Sequence, residues 1–141
     1  MKVVITSDGP SLDAPVSMVF ARAPYFILYD LATDRYEAHQ NPASGAFGGA
    51  GPMAANFVSS LGAKALVTGG FPGPNAQGVI MGLGIEVIQF QGLVKDAVSM
   101  LKSRYNIKSL TKEEELKLLK EEKAKIEARL KEIEERLGNK Q

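Results

Sequence analysis

The end of the chain sets the strongest constraint on the fold. From Thr111 onward nine basic residues stand against nine acidic ones, and Leu116, Leu119, Ile126, Leu130, Ile133 and Leu137 recur at alternating spacings of three and four. That period puts the six on one narrow stripe of a helix, with Lys123 in its single polar position. Thr111 and Glu114 have the spacing of a capping box, and Gly138 suits the helix end. A stripe this narrow, with charge on the other faces, pairs with another helix more readily than it fills a broad core. The expectation is a homo-oligomer joined through these six side chains, with Lys123 limiting register or stability. The alternative is a helix folded back on its own domain.

The core must therefore come from the residues before this stretch. A chain of 141 residues accommodates one domain with a proper core plus something smaller. We expect an α/β domain over residues 1–105 and a coiled-coil-type helix over residues 109–138. Lys2–Thr6 is a continuous β-branched and apolar run, as in a central strand covered on both faces. Ser7–Pro15 reads as a loop, and Tyr25–Leu31 and Arg35–Gln40 as strands of a hairpin.

At Asn41 small residues take over, and the glycine-rich loop NPASGAFGGAGPM leads into a helix through Ala54, Phe57, Val58 and Leu61 that Gly62 closes. Ala65–Thr68 is a short buried strand. A second loop, GGFPGPNA, precedes a helix near Ala76–Leu83 ending at Gly84. Glu86–Phe90 is the last strand, and Leu93–Leu101 has the apolar period of a helix lying on a sheet. Strands alternating with helices in the second half predict parallel pairing, and the hairpin makes the sheet mixed. The fold class expected is α/β, a mixed five-stranded sheet with flanking helices plus the C-terminal coiled-coil-type helix.

Charge and composition narrow the function classes. A net charge of +1, balanced within the tail, lacks the one-signed excess of nucleic-acid binding. No apolar run reaches the length of a membrane span, and the opening residues do not read as an export signal. With no cysteine, disulfides, thiolate metal sites and cysteine nucleophiles drop out. The expectation is a cytoplasmic protein that binds neither nucleic acid nor membrane.

Each glycine-rich loop ends at a helix start, where unpaired backbone N–H groups and the helix dipole favour an anion. If the two converge they form a basin of donors; otherwise the glycines only permit tight turns. Neither loop carries a P-loop or a G-x-G-x-x-G spacing. Arg22 lies just before a strand, placed either to grip an anionic ligand or to pair with Asp30. His39 is the only histidine and cannot build a metal site unaided. Asp8, Asp13 and Asp30 raise a metal-dependent nuclease as a minor alternative. No serine or threonine sits in a recognisable nucleophile motif, so no catalytic residue is assigned.

The run SMVFARAPYF, the loop QNPASGAFGGAG and the loop GGFPGPNA, in that order between the expected strands, resemble the dinitrogenase iron-molybdenum cofactor biosynthesis family. The likeness extends from Lys2 to about Leu101 and leaves the tail outside. It implies a sheet of the ribonuclease H-like type and a non-catalytic role, binding or carrying an iron-sulfur or iron-molybdenum cluster precursor. Carried over by position, it implies ligand-binding roles for Phe20 and Arg22, for Asn41, Gly48, Gly49 and Gly51, and for Gly73 and Asn75, with His39 at the edge. Where many relatives have histidines this chain has Val19, Ala21 and a loop of glycine and alanine around Phe47, so backbone and amide donors replace imidazoles. The alternative is an interaction protein with a decayed ligand site, assembled through its C-terminal helix.

Overall fold

The computed structural model describes residues 1–138. They divide into two compact units, the first Met1–Lys108 and the second beginning at Ser109. The first unit holds five strands, β1 (Lys2–Ser7), β2 (Tyr25–Asp30), β3 (Tyr36–Gln40), β4 (Ala65–Thr68) and β5 (Glu86–Gln89). Its helices are α1 (Ala50–Ser60), α2 (Pro74–Gly82) and α3 (Val94–Arg104), and the second unit is α4 (Lys112–Gly138).

The strands form one sheet in the order β3-β2-β1-β4-β5. β1 is central, as its unbroken apolar run requires. It pairs antiparallel with β2, Lys2 facing Asp30 and Ser7 facing Tyr25, and parallel with β4, Val3 facing Ala65 and Ile5 facing Val67. β2 and β3 make the antiparallel hairpin, and β4 and β5 are parallel. The sheet is mixed, with the hairpin on one side and the parallel strands on the other.

Alternation along each strand sends side chains to two separate cores. Val4, Phe26, Leu28 and Leu66 meet Ala54, Ala55 and Val58 of α1 and Ile80 of α2 on one face. Val3, Ile5, Ile27 and Val67 meet Val94, Ala97, Val98 and Leu101 of α3 on the other. Each buried valine, leucine or isoleucine contributes about 1.5–3 kcal/mol, so the two faces together hold the sheet rigid at its centre.

Polar contacts fix the sheet's edges. Tyr29 donates to Asp34 at 2.8 Å across the hairpin turn, where burial, reinforced by Asp34, pushes its phenol up. Glu86, at the start of β5, accepts from Tyr105 at 2.6 Å and pairs with Arg104. The Tyr105 hydrogen bond and then Arg104 hold its carboxyl below the usual range. These contacts tie the end of α3 to the sheet.

Element limits depart from the expected ones in small ways. α2 begins two residues early, at Pro74, because proline suits a first helical position whose N–H would have no partner anyway. α3 runs on to Arg104, with Lys102 and Arg104 in its last turn, where cations complement the helix dipole.

In the second unit Thr111 caps α4. The Glu114 amide donates to its hydroxyl oxygen at 3.1 Å, and the hydroxyl donates to the Glu114 carboxylate at 3.1 Å. α4 spans 27 residues and buries none of its side chains. Among the described residues no helix is long and apolar enough to cross a membrane.

Candidate functional site

The carboxyl ends of the parallel strands β1 and β4 meet at one end of the sheet, where open α/β sheets place their ligands. A short strap crosses that end. The Ser17 amide donates to the Thr6 carbonyl at 2.9 Å, and the Ser17 carbonyl accepts from both the Thr6 hydroxyl, at 3.0 Å, and the Gly69 amide, at 2.8 Å. Gly69 and Gly70 make room for it. A Cβ at Gly69 would lie 2.9 Å from Met18 Cα, and one at Gly70 would lie 2.4 Å from the Met18 carbonyl oxygen.

Both glycine-rich loops open onto this end. The first leads through Gly49, the N-cap of α1 at φ 68°, and the second through Gly73, the extended N-cap of α2. The first turns of the two helices touch, since a Cβ on Gly51 would lie 2.9 Å from the Cβ of Ala76. No side chain caps either start, and neither first turn carries an acidic residue. Pro52 and Pro74 have no amide hydrogen, and the Met53 and Gln77 amides return to Gly49 and Gly73. The amides of Ala50 and Gly51 and of Asn75 and Ala76 remain as first-turn donors without a carbonyl in their own helix.

Thr68 ends β4 on the same face as Leu66, toward α1 and α2. It is fully buried, and its Oγ1 has no hydrogen-bond partner. An unpaired buried hydroxyl costs about 1–3 kcal/mol, so its retention here calls for an explanation. Apolar tips surround the same end, with Met18, Val19, Phe47 and Phe71 all more than half exposed.

The residues singled out from the sequence separate into three groups. Gly48, Gly49, Gly51, Gly73 and Asn75 come together at the two helix starts, although Gly51 serves first to let the helices approach. Arg22 adjoins them in a way neither reading of it foresaw. Its guanidinium donates to the carbonyls of Ser44, at 3.1 Å, and Ala46, at 2.8 Å, bracing the first glycine loop. Asp30 instead accepts from the amide of Ala32 at 2.9 Å.

Phe20 and Asn41 lie beneath the site. Phe20 is buried and stacks on Phe26 at 5.8 Å. Asn41, also buried, donates to the carbonyls of Ala21 and Ala23 at 2.8 and 3.0 Å and accepts from the Ala43 amide at 2.9 Å, so both its N–H donors serve the protein's own backbone. His39 stands apart on the edge strand β3. It bonds Glu37 at 3.0 Å and meets Phe57 edge-on, two turns beyond the start of α1. Thr68 and the Ser17–Met18 strap were not among the expected site residues. A threonine at a strand end has no pattern of its own, and only the pair Gly69-Gly70 that follows β4 marks a close approach in the sequence.

Among the described residues no three His, Cys, Asp or Glu side chains gather as a metal-ligand group. Asp13 is paired with Lys95 at 3.1 Å. The carboxylate cluster that a nuclease would need is not formed there.

Residues 1–104 match the family described as dinitrogenase iron-molybdenum cofactor. The chain belongs to that family. Orange protein from Desulfovibrio gigas, solved in its apo form, is similar at 35% identity and a TM-score of 0.69, over 72% of this chain and 87% of that one. A Thermotoga protein provisionally called a NifB protein is 33% identical over the same shares, with a TM-score of 0.63. No curated protein matches the chain in sequence. Membership in the dinitrogenase iron-molybdenum cofactor family covers the sheet, its three helices and both glycine loops, and stops short of α4.

Proposed function

We propose that the first unit is a non-catalytic cytoplasmic carrier of a metal-sulfur cluster of the iron-sulfur or iron-molybdenum type, or of a related anion. The cargo sits over the adjoining first turns of α1 and α2 at the sheet end. The observation that carries this reading is Thr68, whose buried hydroxyl, without a hydrogen-bond partner among the described residues, ends β4 on the face that α1 and α2 cover. A bound anion supplies the missing acceptor. The amides of Ala50, Gly51, Asn75 and Ala76 add donors, and the absence of acidic side chains from both first turns leaves their partial positive charge unopposed.

The donors available fit hydrogen bonding to the sulfide or oxo surface of a cluster. They do not fit metal-protein bonds, since the chain has no cysteine and its one histidine is held by Glu37. Met18, Val19, Phe47 and Phe71 stand exposed around the rim and offer the cargo apolar surface.

The test uses full-length protein incubated anaerobically with ferrous iron, molybdate and sulfide. Visible absorbance that co-elutes with the protein, together with a raised melting temperature, is the expected result. Protein that stays colourless with an unchanged melting temperature defeats the reading. Thr68→Val sharpens it. Removing an orphaned hydroxyl should stabilise the unloaded protein by about 1 kcal/mol. Losing a hydrogen bond to a charged cargo should weaken its binding by roughly tenfold or more. Equal loading by both proteins across a titration would remove Thr68 from the site.

A further inference from the structure

We propose that α4 pairs with α4 of a second copy of this chain in the antiparallel sense, in the register that sets Lys123 of each copy opposite the partner's Ile126. This goes beyond the carrier reading and stands independently of it. The starting observation is an apolar stripe that stands exposed along α4. Leu116, Leu119, Ile126, Leu130, Ile133 and Leu137 are each 42–67% exposed, and α4 has no buried residue. Charge then identifies the occupant and its direction.

The stripe is flanked on one side by Glu115, Glu122, Arg129 and Arg136 and on the other by Glu113, Lys120, Glu127 and Glu134. In a parallel pair the first flank meets the partner's second flank five residues on. Glu115 and Arg129 then meet opposite charges in the partner's Lys120 and the partner's Glu134, but Glu122 faces the partner's Glu127 in the middle of the seam, and Lys123 faces its own twin. Two repulsive contacts fall where desolvation is greatest.

An antiparallel pair brings each flank against itself in reverse. The first flank is acidic in its first half and basic in its second, so Glu122 meets the partner's Arg129 and Glu115 meets the partner's Arg136. Twofold symmetry repeats each contact. On the other flank Lys120 meets the partner's Glu127, and only Glu113 against the partner's Glu134 repels, at the frayed ends. Lys123 now lies over an isoleucine, with its ammonium 3.8 Å from Glu127 of its own helix. Sliding the partner by one heptad would put Arg129 and Glu127 each against itself. The flanking charges thus select one direction and one register, a use of repulsion as well as attraction.

The two directions predict opposite signs for one substitution. Glu122→Lys turns the antiparallel contact with the partner's Arg129 repulsive, whereas in a parallel pair it would turn a repulsion with the partner's Glu127 attractive. Sedimentation equilibrium on the full chain should show a wild-type dimer whose dissociation constant rises roughly tenfold in Glu122→Lys. Adding Arg129→Glu should restore it. A tighter Glu122→Lys dimer overturns the direction, and a monomer at every concentration overturns the pairing.

A spin label gives a second readout that does not depend on affinity. With no native cysteine, Glu135→Cys provides a single outward-facing attachment point. Antiparallel helices in the stated register separate the two labels by roughly 30 Å along the axis, while parallel helices bring them level. A short distance would overturn the antiparallel arrangement.

Discussion

Gly70→Ala should lower the melting temperature of the chain by roughly 8–20 °C, the largest single-methyl effect available in the first unit. The added Cβ would lie 2.4 Å from the Met18 carbonyl oxygen. No rotamer change relieves that contact, because both partners are backbone. The strap must lift, and lifting it strains the bond from the Gly69 amide to the Ser17 carbonyl and the bond from the Thr6 hydroxyl to the same oxygen. Overpacking costs about 1–3 kcal/mol, and a backbone contact this close belongs at the upper end, about 2–3 kcal/mol. Gly78→Ala is the control, since nothing lies within 4 Å of its Cβ and helix propensity favours alanine. It should raise stability by about 0.5–1 kcal/mol. Thermal denaturation of the two variants side by side checks both signs. Equal melting temperatures would mean that the strap does not rest on Gly70.

Asn41→Asp should be worse than Asn41→Ala at neutral pH, although it is nearly isosteric. Asn41→Ala removes three hydrogen bonds and leaves two carbonyls and one amide without partners, a loss of about 3 kcal/mol. Asn41→Asp keeps the acceptor for Ala43 but aims a carboxylate oxygen at the carbonyls of Ala21 and Ala23. Burial and those two oxygens disfavour the ionised form, so the folded protein raises the pKa of the new carboxyl. Raising it means that the folded state holds its proton more tightly than the unfolded state. The variant is therefore at its best below the unfolded value of about 3.9, and it loses stability as pH rises through the folded pKa. Urea denaturation of variant and wild type at several pH values should show the gap between them widening upward. A gap that does not change with pH would show that the side chain at position 41 has moved out to water.

How much of this could be read before the structure depends on whether a feature is local. The unbroken run Lys2–Thr6 announces a central strand by composition alone, and the capping pair Thr111 and Glu114 announces the start of α4. The glycine loops are equally visible. What they do at the site is not, because it depends on which strand ends lie side by side. Thr68 looks like any strand threonine until the fold buries it at the end of β4 with its hydroxyl unpaired. Asn41 and Phe20, placed at the pocket by family resemblance, also brace the fold beneath it, and that part of their role was hidden for a similar reason. The partners of Asn41 are carbonyls some twenty residues earlier, brought to it by the hairpin. Within the chain Arg22 bonds not Asp30 but the loop carbonyls of Ser44 and Ala46, which come within its reach only after the chain has turned back.

The contact of Gly51 with Ala76 has a consequence for how this fold can vary. Between them the two positions carry one methyl group, and that methyl sets the gap between the starts of α1 and α2. Exchanging the two residues would preserve the gap, whereas two alanines would widen it and two glycines would let it close. Across relatives the pair should therefore vary as a single quantity, its summed volume setting how closely the two helix starts approach and so how far apart their free amides stand.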